Sequence, residues 1–253
     1  MKFDELDRKM RVFETAADLC VLPGIYMVAR LDGRSFTRLT KEVCKFAAPF
    51  DERFRDLMVA TTEALMKSDF RVVYGYTESD EISLLFSLSE SQFNRKLRKY
   101  NSTLAGIASA EFSLRLGQPA VFDCRIAQLP GPELVVDYFR WRNEDAARNA
   151  LNAYCYWILR KQGLTQQQST QRLMGLSTAG KNELLFSCGT NFNEVPKWQK
   201  RGIGLYWDFA EKIGRNPLTG ETVTTRRRQV HTSFDLPMRE EYEEFVRQLV
   251  AAA

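Results

Sequence analysis

Two short runs of the chain put carboxylates where chemistry could use them. Asp32-Gly33-Arg34 follows the apolar stretch Ile25–Leu31, and Ser79-Asp80-Glu81 lies between the apolar stretches Val72–Tyr76 and Ile82–Phe86. Both stretches before the acids have the length and composition of strands, and Pro23-Gly24 closes the first one off upstream. The second motif reads as a β-hairpin with Ser79, Asp80 and Glu81 at or near its turn. If the two strands pair, Asp32 and Asp80 come within reach of shared divalent cations, an arrangement suited to in-line phosphoryl or nucleotidyl transfer. Taken singly, each motif is ordinary turn chemistry, because Asp, Ser and Gly are common turn residues. Two strand ends that both carry carboxylates, joined by a helix of suitable length, favour a shared site. Gly33 adds a backbone able to approach a ligand closely.

Composition limits the alternatives. The chain has 253 residues, 44% of them apolar, enough for a substantial core. Its 36 basic and 32 acidic residues give a net charge of +4, which permits nucleic-acid binding without requiring it. No run is long and apolar enough for a membrane span, and Met1–Lys9 lacks the order of a signal peptide, so a cytoplasmic protein with no membrane association is expected. The five cysteines (Cys20, Cys44, Cys124, Cys155, Cys188) contain no Cys-x-x-Cys pair and read as reduced thiols. The single histidine, His231, lies in a late strand-like run. Triads, dyads and zinc sites that need histidine are thereby disfavoured, and chemistry must lean on carboxylates, metals and Lys/Arg.

The elements that would position these residues follow from periodicity. Residues 4–19 read as an amphipathic helix, and Pro49-Phe50-Asp51 opens a second one. A third, carrying Phe93, Leu97, Tyr100, Leu104 and Ile107 on one face, ends near Gly117-Gln118-Pro119, and Ala120–Ala127 reads as a strand. The order strand–helix–strand–strand–helix–strand (βαββαβ) is that of a ferredoxin-like α+β unit, shared by polymerase palms, nucleotide cyclases and RNA-recognition modules. Beyond it, 132–161 reads as helical with a break near Trp141-Arg142-Asn143. Thr165 is placed to cap a Gln-rich helix, Lys181–Phe186 falls on another helix, and strands 202–208 and 221–232 flank an Asn216-Pro217-Leu218-Thr219-Gly220 turn. The expected organisation is one catalytic unit over 1–253, with a palm-like core at about 20–130 and a helical elaboration ending in a strand pair at about 131–253.

In the helix near Phe93, Arg95 and Arg98 fall opposite the apolar face while Lys96 and Lys99 flank it. Flanking lysines suit a triphosphate, although a solvated basic face gives the same pattern. Arg226-Arg227-Arg228 fits either a polyanion contact or an edge strand guarded by charge. Trp157 and Trp207, among apolar neighbours, read as core rather than as base-stacking platforms.

Together, Ala29–Phe36, Tyr74–Glu81, Phe122-Asp123-Cys124-Arg125 and Lys181–Phe186 resemble, in order and spacing, the tRNA(His) guanylyltransferase family of 3′-to-5′ polymerases. The resemblance implies two Mg²⁺ ions held by Asp32, the Gly33 carbonyl and Asp80, with Glu81 as part of the catalytic motif. It also implies a nucleotide site formed by Asp32, Gly33, Arg34, Ser35, Phe36, Thr37, Ser79, Asp80, Lys96 and Lys99. It further implies ATP and GTP as substrates, tRNA as the partner, with Asn149, Lys181 and Arg226–Arg228 as candidate contacts, and a homodimer or homotetramer. The chain departs from the eukaryotic His-x-Asn-Asn motif, reading Ala147-Arg148-Asn149-Ala150, and carries Ala48 where the family has a basic residue. This is similar to the bacterial and archaeal branch, for which templated repair of 5′-truncated tRNA is implied ahead of non-templated G addition to tRNA(His). Two readings of other kinds remain: a palm-type nucleotide cyclase, and a non-catalytic ferredoxin-like RNA-binding module. The latter expects aromatics rather than carboxylates at the strand ends.

Overall fold

The computed structural model describes residues 1–215 and 222–252. The expected turn at 216–220 lies outside the described residues. At the centre is a six-stranded antiparallel sheet built from β1 (Tyr26–Gly33), β2 (Val72–Glu78), β3 (Glu81–Phe86), β4 (Phe122–Leu129), β5 (Ile203–Arg215) and β6 (Thr222–Ser233), in the order β4-β1-β3-β2-β5-β6. The first four strands have the expected ferredoxin-like arrangement. The long pair β5–β6 extends the sheet beyond β2 and makes β6 its edge.

Alternation along β1 decides what each face meets. Met27, Ala29 and Leu31 enter a core formed with α3 (Glu52–Met66) and α4 (Leu97–Leu116), where Leu65, Leu104 and Phe112 are also buried. Asp51 caps α3 by accepting from the Arg53 amide at 2.8 Å. The opposite residue set, with Val28, Tyr74, Tyr76 and Leu85, packs against α5 (Pro132–Lys161) and α9 (Glu240–Ala251) through Val135, Phe139, Tyr242 and Val246. Farther along, α5 builds a small core with α6 (Gln166–Leu173) and α7 (Thr178–Ser187) through Leu151, Cys155, Leu159, Leu173 and Leu185. Thr165 caps α6 in a reciprocal box with Gln168, as its sequence predicts.

Three expectations are corrected. The first helix, Phe3–Thr15, stops short of residue 19, and its Phe3, Leu6, Met10 and Phe13 are exposed. The break near Trp141-Arg142-Asn143 does not occur, because α5 runs unbroken for 30 residues. Arg142 and Asn143 are buried polar residues bonded to other elements, which is why they look out of place in an apolar pattern. Arg95 precedes α4 in a left-handed run, Phe93–Arg95 (φ +49° to +57°). It is buried, its guanidinium donating to the carbonyls of Glu90 at 3.0 Å and Ile25 at 2.5 Å, so it is not on a solvent face.

The C-terminal helix α9, which the sequence reading lacks, seals the second core. Its Tyr242 hydroxyl meets that of Tyr74 at 3.0 Å, both fully buried. Tyr242→Phe is expected to cost about 1–3 kcal/mol by leaving the Tyr74 hydroxyl buried without this partner. A lower urea midpoint at an unchanged m-value would record it.

Candidate active site at the ends of β1 and the β2–β3 hairpin

The register of the central strands brings the two acidic motifs together. Asp32 pairs directly with Glu81, and the Gly33 amide donates to the Asp80 carbonyl at 3.0 Å. Glu78 and Glu81 face each other across a two-residue turn, Ser79-Asp80, in which Ser79 adopts φ +49° and its hydroxyl lies 3.2 Å from Asp80 Oδ1. A non-glycine residue in the left-handed region costs conformational energy. Here it turns the hairpin so that Asp80 lies beside the end of β1.

The electrostatics differ from group to group. Burial, with the Asp32 charge adding to it, pushes the Asp80 carboxyl up from its ordinary range. Burial and then the neighbouring Glu81 charge push Glu78 up to about 8. Burial also raises Glu81, against the pull of Arg142 and Arg30. Arg142 donates to both oxygens of Glu81, at 2.7 and 2.9 Å, and Arg30 reaches Oε2 at 2.5 Å. Glu81 is thus enclosed by arginines rather than directed at the cleft. Asp32 lies only within 3.7 Å of Arg30 and 3.9 Å of Arg125, and its side chain is 37% exposed.

Could this end of the sheet hold Mg²⁺? Among the described residues no cluster of three or more His, Cys, Asp or Glu is assembled as a metal cage. Two carboxylates and a backbone carbonyl at adjacent strand ends are nonetheless the donor set that Mg²⁺ takes when substrate phosphates and water complete its shell. Among the described residues Asp80 forms no ion pair with a lysine or arginine, and at Asp32 the nearest guanidinium nitrogens stand at 3.7 and 3.9 Å. The residues fit the ion.

After Gly33 the chain turns sharply. The Arg34 amide is bonded to the Val121 carbonyl at 2.8 Å, Ser35 takes φ +61°, and Arg34, Ser35 and Thr37 are exposed. Phe36 is not available to a ligand through its ring, which is buried against Phe112 and Phe122 at centroid distances of 5.1 and 4.9 Å. Beside Ser79 a cleft of about 220 Å³ opens, walled by Ala47, Pro49, Phe50, Met58 and Trp157. Asp51 ties the wall together by accepting from the Ala47 amide at 2.7 Å, and the Arg53 guanidinium holds its carboxyl well below the usual range. The sequence reading missed this wall. Trp157, expected in the core, is half-buried on the cleft with Lys41 over its ring at 5.5 Å. The signal available beforehand was the Asp51 cap, which fixes the loop before α3.

The other candidate residues fall in different places. Asn149 and Lys181 line one groove that adjoins the cleft and includes Lys41 and Trp157. Lys96 and Lys99 are not brought to the carboxylates. Lys96 bridges to Cys20 and pairs with Asp18 at 2.7 Å, while Lys99 lies over Phe93, all near the start of β1 and about 20 Å from its acidic end at the usual rise per residue. Arg226, Arg227 and Arg228 sit on the edge strand β6, opposite Glu211, Ala210 and Phe209, past the segment of β5 that pairs with β2. Arg228 lies 4.3 Å over Trp207 and Arg226 5.0 Å over Phe209.

A Cβ on Gly33 would lie 2.5–2.7 Å from the Phe36 ring, itself locked in the core. Gly33→Ala is therefore expected to destabilise by about 1–3 kcal/mol through overpacking and to displace the turn beside Asp32, lowering activity. Gly106→Ala on α4, where nothing lies within 4 Å, should be neutral or stabilising by up to about 1 kcal/mol. Thermal denaturation and nucleotide-transfer assays on the two variants make the comparison.

Comparison with known proteins bears on the family and the fold. The family profile described as tRNAHis guanylyltransferase matches residues 7–130, and that of the Thg1 C terminal domain matches 133–245. The probable tRNA(His) guanylyltransferase of Mus musculus is 36% identical over 215 residues, covering 81% of this chain and 71% of the relative. That of Saccharomyces cerevisiae is 32% identical over 209 residues, covering 76% and 86%. Among solved structures, a bacterial tRNA(His) guanylyltransferase (Thg1)-like protein in complex with GTP superposes with a TM-score of 0.74 at 26% identity, covering 98% of this chain and 99% of that one. The crystal structure of the Saccharomyces cerevisiae enzyme gives 0.71 at 30% identity, covering 77% and 91%. With both family profiles matched in order along the sequence and the fold shared across the chain, this protein belongs to the tRNA(His) guanylyltransferase family and is a nucleotidyltransferase.

Proposed function

We propose that this chain adds nucleotides in the 3′-to-5′ direction to the 5′ end of tRNA, chiefly to restore missing 5′ nucleotides by pairing with the opposite strand of the acceptor stem. The observation that carries the site assignment is the direct register of Asp32 with Glu81 and the bond from the Gly33 amide to Asp80, which unites both acidic motifs at one sheet end. Asp32, Asp80 and the Gly33 carbonyl would hold two Mg²⁺ ions. When bound, these would acidify the attacking hydroxyl and neutralise the triphosphate. The turn after Arg34, with left-handed Ser35 followed by right-handed Phe36, groups the amides of Ser35, Phe36 and Thr37 in a way that suits phosphate oxygens. Ser79 lines the apolar cleft, which would take the base of ATP or GTP against Pro49, Phe50 and Trp157. The groove past Trp157, with Asn149, Lys181 and Lys41, would accept tRNA, with Arg226–Arg228 as a distant phosphate contact.

Templated repair is preferred over non-templated G addition because Ala147 and Ala150 stand where the eukaryotic motif has His and Asn, leaving Asn149 alone on the exposed face of α5. Base pairing can select a nucleotide without protein contacts to an anticodon. Among the described residues no helix is long and apolar enough to cross a membrane.

Asp32→Ala and Asp80→Ala are each expected to abolish nucleotide addition without lowering the melting temperature, because each removes a repelling carboxylate rather than a packed side chain. Turnover near that of the unaltered protein in Mg²⁺ would remove the metal assignment. On truncated tRNAs whose opposing base is varied, the added nucleotide should follow its partner across all four triphosphates. Addition of G alone, to tRNA(His) only, would reverse the preference for repair.

Lys96 and Lys99 lie too far from the carboxylates of their own chain, so their triphosphate role requires a dimer or tetramer in which they reach the site of another copy. Mixing inactive Asp32→Ala protein with Lys99→Ala protein should then recover activity, since one site in the mixed assembly has both parts. Mixed assemblies no more active than their components would confine Lys99 to a surface role.

A further inference from the structure

The acidic end of the sheet holds more carboxylates than the two proposed ligands. Glu78 on β2, Glu81 on β3, Asp32 on β1 and Asp123 on β4 stand in direct register on four adjacent strands and share the face covered by α5. Like charges directly opposite one another in a ladder, about 5 Å apart, repel. The compensation is uneven along the row. Arg142, its side chain only 4% exposed, grips both oxygens of Glu81 at 2.7 and 2.9 Å, reaches Glu78 Oε1 at 3.1 Å, and holds Asp145 on its own helix at 3.2 Å. Arg30 adds a contact to Glu81 at 2.5 Å. At Asp32 the nearest guanidinium nitrogens stand at 3.7 and 3.9 Å, beyond hydrogen-bond distance.

The row is thus divided into an arginine-bound half, Glu78 and Glu81, and an open half beginning at Asp32. Trp141 stacks on the Arg142 guanidinium at 4.7 Å, and Asn143 donates to the Arg201 carbonyl at 2.8 Å. Asn143 therefore ties this part of α5 to the segment that leads into β5, while Trp141 covers the arginine from its own helix. With Glu81 held, Arg30 is held as well, at a distance from Asp32 that leaves its carboxylate free.

We propose that Arg142 is a positioning residue for the metal site: by binding Glu81 and Glu78 it removes them as competing ligands and directs the cation to Asp32 and Asp80. The proposal rests on the reading of Asp32 and Asp80 as Mg²⁺ ligands. It gives Glu81 a defined part as the link between Arg142 and Arg30, acting through them and not on the substrate. Removing Arg142 frees two carboxylates on the strands beside Asp32. Metal would then distribute over the row, away from the position that the nucleotide phosphates require.

The test uses the full chain with Arg142→Met, Arg142→Lys and the charge-balanced double variant Arg142→Met/Glu81→Gln. Mn²⁺ binding is followed by electron paramagnetic resonance with a non-hydrolysable GTP analogue, and kcat, KM for GTP and melting temperature are measured alongside. Arg142→Met is expected to change the Mn²⁺ affinity by about 10–100-fold, the range for a partner one shell removed from a metal, and to bind additional Mn²⁺. kcat should fall with little change in KM. Arg142→Lys should recover only part, since an ammonium cannot grip Glu81 through two nitrogens. The double variant should return Mn²⁺ stoichiometry and much of kcat toward the unaltered protein, because it removes Glu81, the freed carboxylate directly opposite Asp32. A folded Arg142→Met protein with unchanged Mn²⁺ binding overturns the proposal. So does a double variant no better than the single, or one that fails to fold along with it, for Arg142 would then be a structural pin. Asp32→Ala tests the underlying reading separately: if it binds Mn²⁺ unchanged, the ligand assignment fails whatever Arg142 does.

Discussion

Repulsion among carboxylates at one end of an antiparallel sheet is the constraint around which this fold is arranged. An isolated palm-like sheet would carry Glu78, Glu81, Asp32 and Asp123 side by side with only Arg30 and Arg125 nearby. Taking an unpaired carboxylate out of water costs several kcal/mol. The chain meets this with an arginine from the second family segment, delivered by the long helix α5 to the most buried part of the row. A buried ion pair of this kind is weak evidence of net stabilisation. Its better-supported effect is geometric, because a planar guanidinium bound to both Glu81 oxygens admits few orientations of α5 against β3.

The packing around that contact follows from it. Once Arg142 sits over Glu81, the turns of α5 before it must place Phe139, Val136 and Val135 over Val28, Tyr74 and Leu85, and the turns after it must place Ala146 and Ala150 along the cleft. Small residues there leave room for the cleft between α5 and the loop at 46–51. The closing helix α9 then covers what α5 leaves exposed on β2, through the Tyr74–Tyr242 pair. The polar site and the apolar core on this face are therefore positioned by the same helix.

The central strands, the hairpin and its acidic turn were legible in the sequence because their signals are local: apolar runs of strand length, turn residues between them, and a capping Asp51 before α3. That the strand ends carrying Asp32 and Asp80 become neighbours was legible too, since the βαββαβ order fixes which strands are adjacent. What was not legible depends on partners far away in the chain. Arg142 and Asn143 interrupt an apolar pattern, and the local interpretation of such an interruption is a helix break; their bonds to Glu81 and to the Arg201 carbonyl make the helix continuous instead. Arg95 was misassigned to a solvent face because the helix begins two residues later, after a left-handed run that turns its guanidinium inward. Periodicity gave Lys96 and Lys99 a face but not an end of the helix. The direction of α4, which starts beside Ile25 and returns toward the acidic end, puts them at the opposite end of the sheet.

That distance between anions and cations has its own physical logic. A carboxylate that is to take Mg²⁺ competes poorly for the ion if a lysine or arginine is already hydrogen-bonded to it, since the bound cation both occupies its lone pairs and lowers its charge. The structure keeps Arg30 and Arg125 just out of bonding range of Asp32, ties Lys96 to Asp18, and lays Arg226 and Arg228 over aromatic rings on the edge strand. Lys96, Arg226 and Arg228 stand toward the far end of the sheet, where exposed charge acts over about a Debye length and weakens with salt. Among the described residues no lysine or arginine is hydrogen-bonded to Asp32 or Asp80 at the near end. On the proposed assignment of Asp32 and Asp80 to the metal, an RNA held by the distant cations alone would bind without reacting, and a nucleotide triphosphate bringing metal to the two carboxylates would remove the repulsion that keeps a 5′ phosphate away from them.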